Sequence, residues 1–94
     1  MENITRIKQV LRAVSREAGW DILEALSKGA IRFTKLEGMA NVSPRTLSER
    51  LKELAALGLI DRKAYAEVPP RVEYRLTNEG EKVLDTLRKL ESPN

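Results

Sequence analysis

Apolar residues recur at Ile4, Ile7, Leu11 and Val14, with Val10 widening the stripe, so residues 3–16 read as an amphipathic helix whose apolar face needs a partner. A second helix is predicted from Glu17 or Trp20 to Lys28, with Ile22, Leu23 and Leu26 inward and Gly29 as its C-cap. Gly19 either breaks the two helices apart or lies inside a continuous one. Ala30-Ile31-Arg32-Phe33 reads as a brief strand or extended link. Thr34-Lys35-Leu36-Glu37 then has the form of a capping box, which starts a short helix at Lys35 and lets it run to Met39 or Ala40. After Asn41-Val42 the chain restarts, with Ser43 as N-cap and Pro44 at the first helical position, where a missing amide hydrogen costs nothing. Leu47, Leu51 and Leu54 line one face of this next helix, Leu57 stands beside them, and Gly58 ends it. Two short helices broken in this way make a helix-turn-helix, a motif that lays its second helix in the major groove of DNA.

Beyond Gly58 the period changes from helical to alternating. Residues 59–65 and 71–77 read as two strands, the second with Val72, Tyr74 and Leu76 on one face and Arg71, Glu73 and Arg75 on the other. Ala66-Glu67-Val68-Pro69-Pro70 is too long for a two-residue turn, and its prolines keep it out of the ladder. Thr77 caps a last helix, residues 78–90, striped by Val83, Leu84, Leu87 and Leu90, and Ser92-Pro93-Asn94 forms a tail. The expected fold class is mainly α with a small β-hairpin. The order helix, helix, helix-turn-helix, hairpin, helix is that of a winged helix-turn-helix, and nothing marks a second domain within residues 1–94.

Composition narrows the chemistry. The chain has 94 residues and neither cysteine nor histidine, which removes disulfides, thiolate nucleophiles, imidazole bases and the usual zinc ligands. No nucleophile and base arrangement or paired carboxylate at an evident pocket remains, so no enzyme, metal or cofactor is expected. With 33% charged residues and no apolar run near the roughly 20 residues of a membrane span, a cytoplasmic protein is expected, without a membrane partner.

The formal net charge of +3 is a weak pointer by itself, and its distribution carries more. Residues 2–16 hold four bases against one acid, and residues 32–75 hold nine against six, whereas both remaining stretches are net negative. Positive charge therefore gathers on the first helix and on the segment expected to read DNA.

Steps of 100° per residue, with Leu47, Leu51 and Leu54 inward, put Arg45, Ser48, Glu49 and Lys52 on the outward face of the second motif helix, flanked by Thr46 and Arg50. Arg45 is suited to a bidentate bond with a guanine edge, and Ser48 or Thr46 to a base edge or a phosphate. Arg50 lies nearer the core and has two readings, DNA contact or an ion pair with Glu37 or Glu53. Glu49 repels phosphate and must either accept from a cytosine amine or sit off the backbone. Ser43 caps a helix N-terminus that is itself a phosphate site. Arg32 and Lys35 open the preceding helix, which crosses the backbone in such motifs, while Lys63 and Arg71 on the hairpin are placed for the backbone or minor groove. Glu67 beside Arg71 weakens the potential there. Trp20, Phe33 and Tyr74 are dispersed and read as core rather than as a stacking platform.

Gly19-Trp20, Ile22-Leu23, Arg32-Phe33, Val42-Ser43-Pro44, Arg50-Leu51-Lys52-Glu53-Leu54 and Gly58-Leu59-Ile60 make a familiar series. The string Val68-Pro69-Pro70-Arg71-Val72-Glu73-Tyr74-Arg75-Leu76-Thr77, followed by Gly80, is its most specific part. Over residues 19–90 the chain resembles the HxlR-type winged helix-turn-helix transcriptional regulators of the MarR-like superfamily. The resemblance implies a homodimer on operator DNA, joined through the first and last helices. The apolar stripes Ile4, Ile7, Leu11, Val14 and Val83, Leu87, Leu90 exceed what a winged-helix core needs and agree with a two-fold dimer. Many members carry a cysteine near the N-terminus, some as an oxidant sensor, and this chain has none. Its effector, if one exists, is then a small ligand or another protein. The rival reading is a winged-helix interaction module in a larger assembly, kept open by Glu49 and Glu53 on the helix that would face DNA.

Overall fold

A Ser43 side chain that satisfies one orphan amide at the start of a helix is the local event around which the motif is built. In the computed structural model, which describes residues 2–91 and side chains from residue 5 onward, its Oγ accepts from the Thr46 amide at 3.1 Å and donates to Thr46 Oγ1 at 3.1 Å. Pro44 follows as the first helical residue, as its fixed φ favours. The elements are α1 (Glu2–Ser15), α2 (Gly19–Leu26), β1 (Ile31–Arg32), α3 (Phe33–Met39), α4 (Pro44–Ala56), β2 (Ile60–Tyr65), β3 (Arg71–Leu76) and α5 (Asn78–Arg88). This is the mainly helical winged helix-turn-helix that the residue pattern predicts. Among the described residues no helix is long and apolar enough to cross a membrane.

Leu47, Leu51 and Leu54 of α4 meet Leu23 and Leu26 of α2, together with Leu59, Ile60 and Leu84, in a fully buried cluster. At roughly 1.5 to 3 kcal/mol for each large side chain taken from water, this cluster dominates the favourable side of folding. Gly19 begins α2 beneath the end of α1, and a Cβ there would run into the Ala13 carbonyl oxygen. The chain therefore breaks between α1 and α2, with Ala18 at φ 70°. That close approach presses Ala13 and Val14 into the core.

The sheet is three-stranded and antiparallel in the order β1-β3-β2. Of the two readings of Ala30 to Phe33, a brief strand or an extended link, the strand forms at the sheet edge, pairing Ile31 with Tyr74 and Arg32 with Glu73. This pairing overrides the capping box at Thr34. Residues stay extended through Arg32, the Phe33 ring packs 6.5 Å from that of Tyr74, and α3 begins at Phe33 with no side-chain cap. Two other boundaries shift. Helix α2 closes at Leu26 with Ser27 rather than Gly29 as C-cap, and α5 ends at Arg88, leaving Leu90 beyond the helix and 74% exposed.

The cap at Thr77 forms as the pattern requires: its Oγ1 accepts from the Gly80 amide at 3.0 Å and donates to the Gly58 carbonyl at 2.6 Å. That second bond ties the start of α5 to the turn that ends α4.

The two terminal stripes divide. Ile7 and Leu11 are 56% and 49% exposed, whereas Val14, expected at a dimer contact, is buried in the chain's own core. Val83 and Leu87 are half-buried on α5, and with Ile7, Val10 and Leu11 they line one groove of about 270 Å3 between α1 and α5. Ile4, the first residue of the stripe, and the tail Ser92-Pro93-Asn94 lie outside the residues whose side chains are described.

Candidate nucleic-acid interface

Helix α4 buries one face and presents the other. Arg45, in its first turn, is 90% exposed and lies 3.8 Å from Glu49 one turn on, a spacing that leaves the guanidinium free to exchange a solvated carboxylate for another acceptor. Lys52 is exposed in the same direction, and Ser48 is half-buried between them and the sheet. Thr46 is occupied with Ser43 in capping.

Arg50 takes the inward of its two readings. Its side chain is only 11% exposed, and Nη1 lies 3.4 Å from Glu53 Oε1, so it is withdrawn from the outward face. The other oxygen of Glu53 accepts from Arg16 at 3.2 Å. Both arginines thus stand behind α4 and hold it from the core side.

On the hairpin, the register decides what each cation can reach. Directly paired residues share a sheet face, so Tyr65 with Arg71, Lys63 with Glu73 and Asp61 with Arg75 point outward, away from α4. There Arg71 stacks 3.8 Å from the Tyr65 ring centroid and bonds Glu67 at 3.0 Å, and Lys63 sits 4.9 Å over the same ring. The Tyr65 hydroxyl donates to Glu73 at 3.1 Å. Lys63 and Arg71, both candidates for DNA, are bound into this network, and Arg71 also stands at the rim of a cleft shared with Ser48 and Lys52.

Between the start of α3, the outer face of α4 and the inner face of the sheet lies a cleft of about 390 Å3. Arg32, Ser48 and Lys52 line it, as the sequence reading requires of a common surface. Arg62, which that reading missed, lines it too, standing opposite Tyr74 on the sheet face that is otherwise apolar. The alternation Ile60, Arg62, Ala64 was the available signal. Lys35 is not part of this cleft and opens instead on a groove beside Asp21 and Glu24 of α2.

The geometry of a capped second helix, a hairpin wing and a third strand matches a known family. The model of the HxlR-like helix-turn-helix family covers residues 14–92. The chain belongs to the HxlR-like helix-turn-helix family. A relative from Escherichia coli K12, the uncharacterised HTH-type transcriptional regulator YtfH, is 39% identical over 84 residues, 88% of this chain and 67% of its own. An uncharacterised HTH-type transcriptional regulator from Methanothermobacter thermautotrophicus is 42% identical over 67 residues, 70% of this chain and 51% of its own. The match spans about half the length of the Methanothermobacter relative and two thirds of the Escherichia coli one. Among solved structures, a transcriptional regulator of the MarR family from Enterococcus faecalis V583 superposes with a TM-score of 0.83 at 33% identity, over 92% of this chain and 79% of that one. The curated relatives are thus named as HTH-type transcriptional regulators, and the solved neighbour, named for the MarR family, shares the fold of this chain.

Proposed function

We propose that this HxlR-like chain is a sequence-specific double-stranded DNA-binding transcriptional regulator that acts in the cytoplasm as a homodimer. Helix α4 enters the major groove, and the wing, residues 60–76, lies along the adjacent backbone or minor groove. The observation that carries this reading is Arg45, 90% exposed in the first turn of a helix whose opposite face is wholly core. N-terminal residues of a recognition helix are the ones that reach base edges. Arg45, Ser48 and Glu49 face the bases in this proposal, and Arg32, Lys35, Ser43, Thr46 and Lys52 hold phosphates or the helix that meets them.

Ile7, Leu11, Val83 and Leu87 support the dimer, since an apolar groove open to water at the junction of the first and last helices gains by covering itself with a second copy. A two-fold dimer of this kind sets half-sites about one helical turn, roughly 10 bp, or a multiple apart. The interaction-module alternative loses one of its supports, because Glu53 is engaged by Arg16 and Arg50 rather than offered to a partner.

The test is binding to duplex fragments from the chain's own genomic neighbourhood across a salt series. Phosphate contacts release counterions, so affinity should fall steeply with salt and differ between fragments. Equal affinity for every fragment, or none that responds to salt, overturns the reading.

A further inference from the structure

A single cleft joins helix α4 to the wing. Arg62 of β2 and Lys52 of α4 both line it, together with Arg32, Thr34, Ser48 and Arg71. No acid lines it. Among the described residues none of the three cations Arg32, Lys52 and Arg62 has an ion-pair partner, although eight pairs form in all, including those of Arg45, Arg50 and Arg71, the fourth cation of the cleft. Arg62 is the least expected of the three. By strand alternation it occupies the apolar face shared with Ile60, Val72, Tyr74 and Leu76, where a neutral side chain would extend the core. The neighbouring Asp61 and Lys63, on the other face, have Arg75 and Tyr65 as partners.

Arg62 and Lys52, two unpaired cations on facing elements of an acid-free concavity, repel one another, and an anion shared between them relieves that repulsion. A phosphate fits the donor set, which offers the planar guanidinium fork of Arg62, the ammonium of Lys52 and the neutral hydroxyls of Thr34 and Ser48. Resting on the DNA-binding reading above, we infer that this cleft is a phosphodiester clamp, in which Arg62 and Lys52 grip the operator backbone where it passes from the recognition helix to the wing. Arg62 is a positioning residue in this arrangement. It fixes the register of α4 on the duplex and carries no sequence information itself.

The experiment compares Arg62→Gln, Lys52→Gln and Arg75→Gln with the unaltered chain on several duplexes across a salt series. Arg75 lies on the same hairpin with the same charge but on the outer face beside Asp61, so it controls for net charge. Losing one phosphate contact lowers the slope of log affinity against log salt by about 0.9, which is roughly eightfold in affinity at 0.1 M salt. The clamp requires this loss in both Arg62→Gln and Lys52→Gln, equal on every duplex, with Arg75→Gln at the unaltered slope. Circular dichroism checks that each variant is folded, and Lys52→Gln tests the cleft from α4 should the strand variant misfold. If the unaltered chain binds DNA and neither cleft variant changes the slope, the clamp is overturned while DNA binding stands. A loss confined to certain sequences makes Arg62 a base reader and overturns it also. Displacement of duplex by pyrophosphate at constant ionic strength, abolished in Arg62→Gln, would assign the cleft to a free phosphate compound instead. Absence of duplex binding by the unaltered chain removes both readings.

Discussion

Arg16 and Glu53, thirty-seven positions apart, meet through a hydrogen-bonded ion pair of 3.2 Å that joins the end of α1 to the inner side of α4. Glu53 also holds Arg50 at 3.4 Å, so one carboxylate serves two guanidinium groups of unequal exposure, 46% for Arg16 and 11% for Arg50. The inequality makes the two partners energetically different. Arg50 is desolvated, its Nε has no partner, and Glu53 is its compensating charge.

Glu53→Ala should therefore cost about 1 to 2 kcal/mol, because it strands a mostly buried charge. Arg16→Ala should cost less than about 1 kcal/mol, since an exposed pair is screened by water and Arg16 can be solvated when alone. Urea unfolding followed by circular dichroism measures both. Equal losses would mean that Arg50 finds water when Glu53 is gone.

Glycine makes a second contrast. At Gly80, in the first turn of α5, a Cβ would collide with the Leu59 carbonyl oxygen, which already accepts from the Thr77 amide at 3.1 Å. Gly80→Ala must push α5 off the turn that ends α4, at a cost of about 2 to 3 kcal/mol. Gly38, inside α3, has nothing within 4 Å of where a Cβ would stand. Gly38→Ala should stabilise by roughly 0.5 to 1 kcal/mol through helix propensity. Thermal midpoints should move in opposite directions, and a Gly80→Ala variant as stable as the parent would refute the close packing of α5 on Leu59.

What could be read from the chain alone sorts by the range of the interaction that decides it. Ser43 and Thr77 each accept from an amide three residues on, so their caps follow from neighbours in sequence. Thr34 has the same local signal, yet it loses to the pairing of Arg32 with Glu73 and the contact of Phe33 with Tyr74, partners about 40 residues away. Arg45 and Arg50 stand on the same helix and differ because Glu53 is anchored from α1. Arg62 is illegible in the sequence for a similar reason: its face is fixed by strand register, but its place in one cleft with Lys52 comes from the packing of the sheet against α4. Val14 continues the stripe of Ile7 and Leu11 without a break in pattern, and only the docking of Gly19 beneath Ala13 divides core from surface.

That division can be tested directly. Ile7→Lys with Leu11→Lys should abolish self-association while leaving the monomer folded, because both side chains are about half exposed in the isolated chain. Val14→Lys, one turn further, should unfold the protein by burying an unpaired ammonium. Sedimentation equilibrium gives the first outcome and circular dichroism the second. A double variant that remains dimeric would move the interface away from the groove between α1 and α5.

In the proposed DNA complex, specificity turns on Arg45. A bidentate arginine to guanine is worth roughly 1 to 3 kcal/mol against the wrong base, so Arg45→Ala should lose about 5- to 150-fold on the preferred duplex and much less on its mismatched variants. Glu49, 3.8 Å away, sharpens the expectation. In the free protein it holds Arg45 only through an exposed pair worth at most about 1 kcal/mol, so releasing the guanidinium to a base costs little. Once Arg45 turns to a base, Glu49 stands beside DNA without its partner and must accept from a cytosine amine or be repelled by phosphate. Glu49→Gln should then raise affinity for most duplexes while narrowing the gap between preferred and mismatched sites. Competition binding against a library of single-base variants reads both effects at once. Parallel losses on every sequence for Arg45→Ala would reduce it to a phosphate contact and move base readout to Ser48 and Glu49.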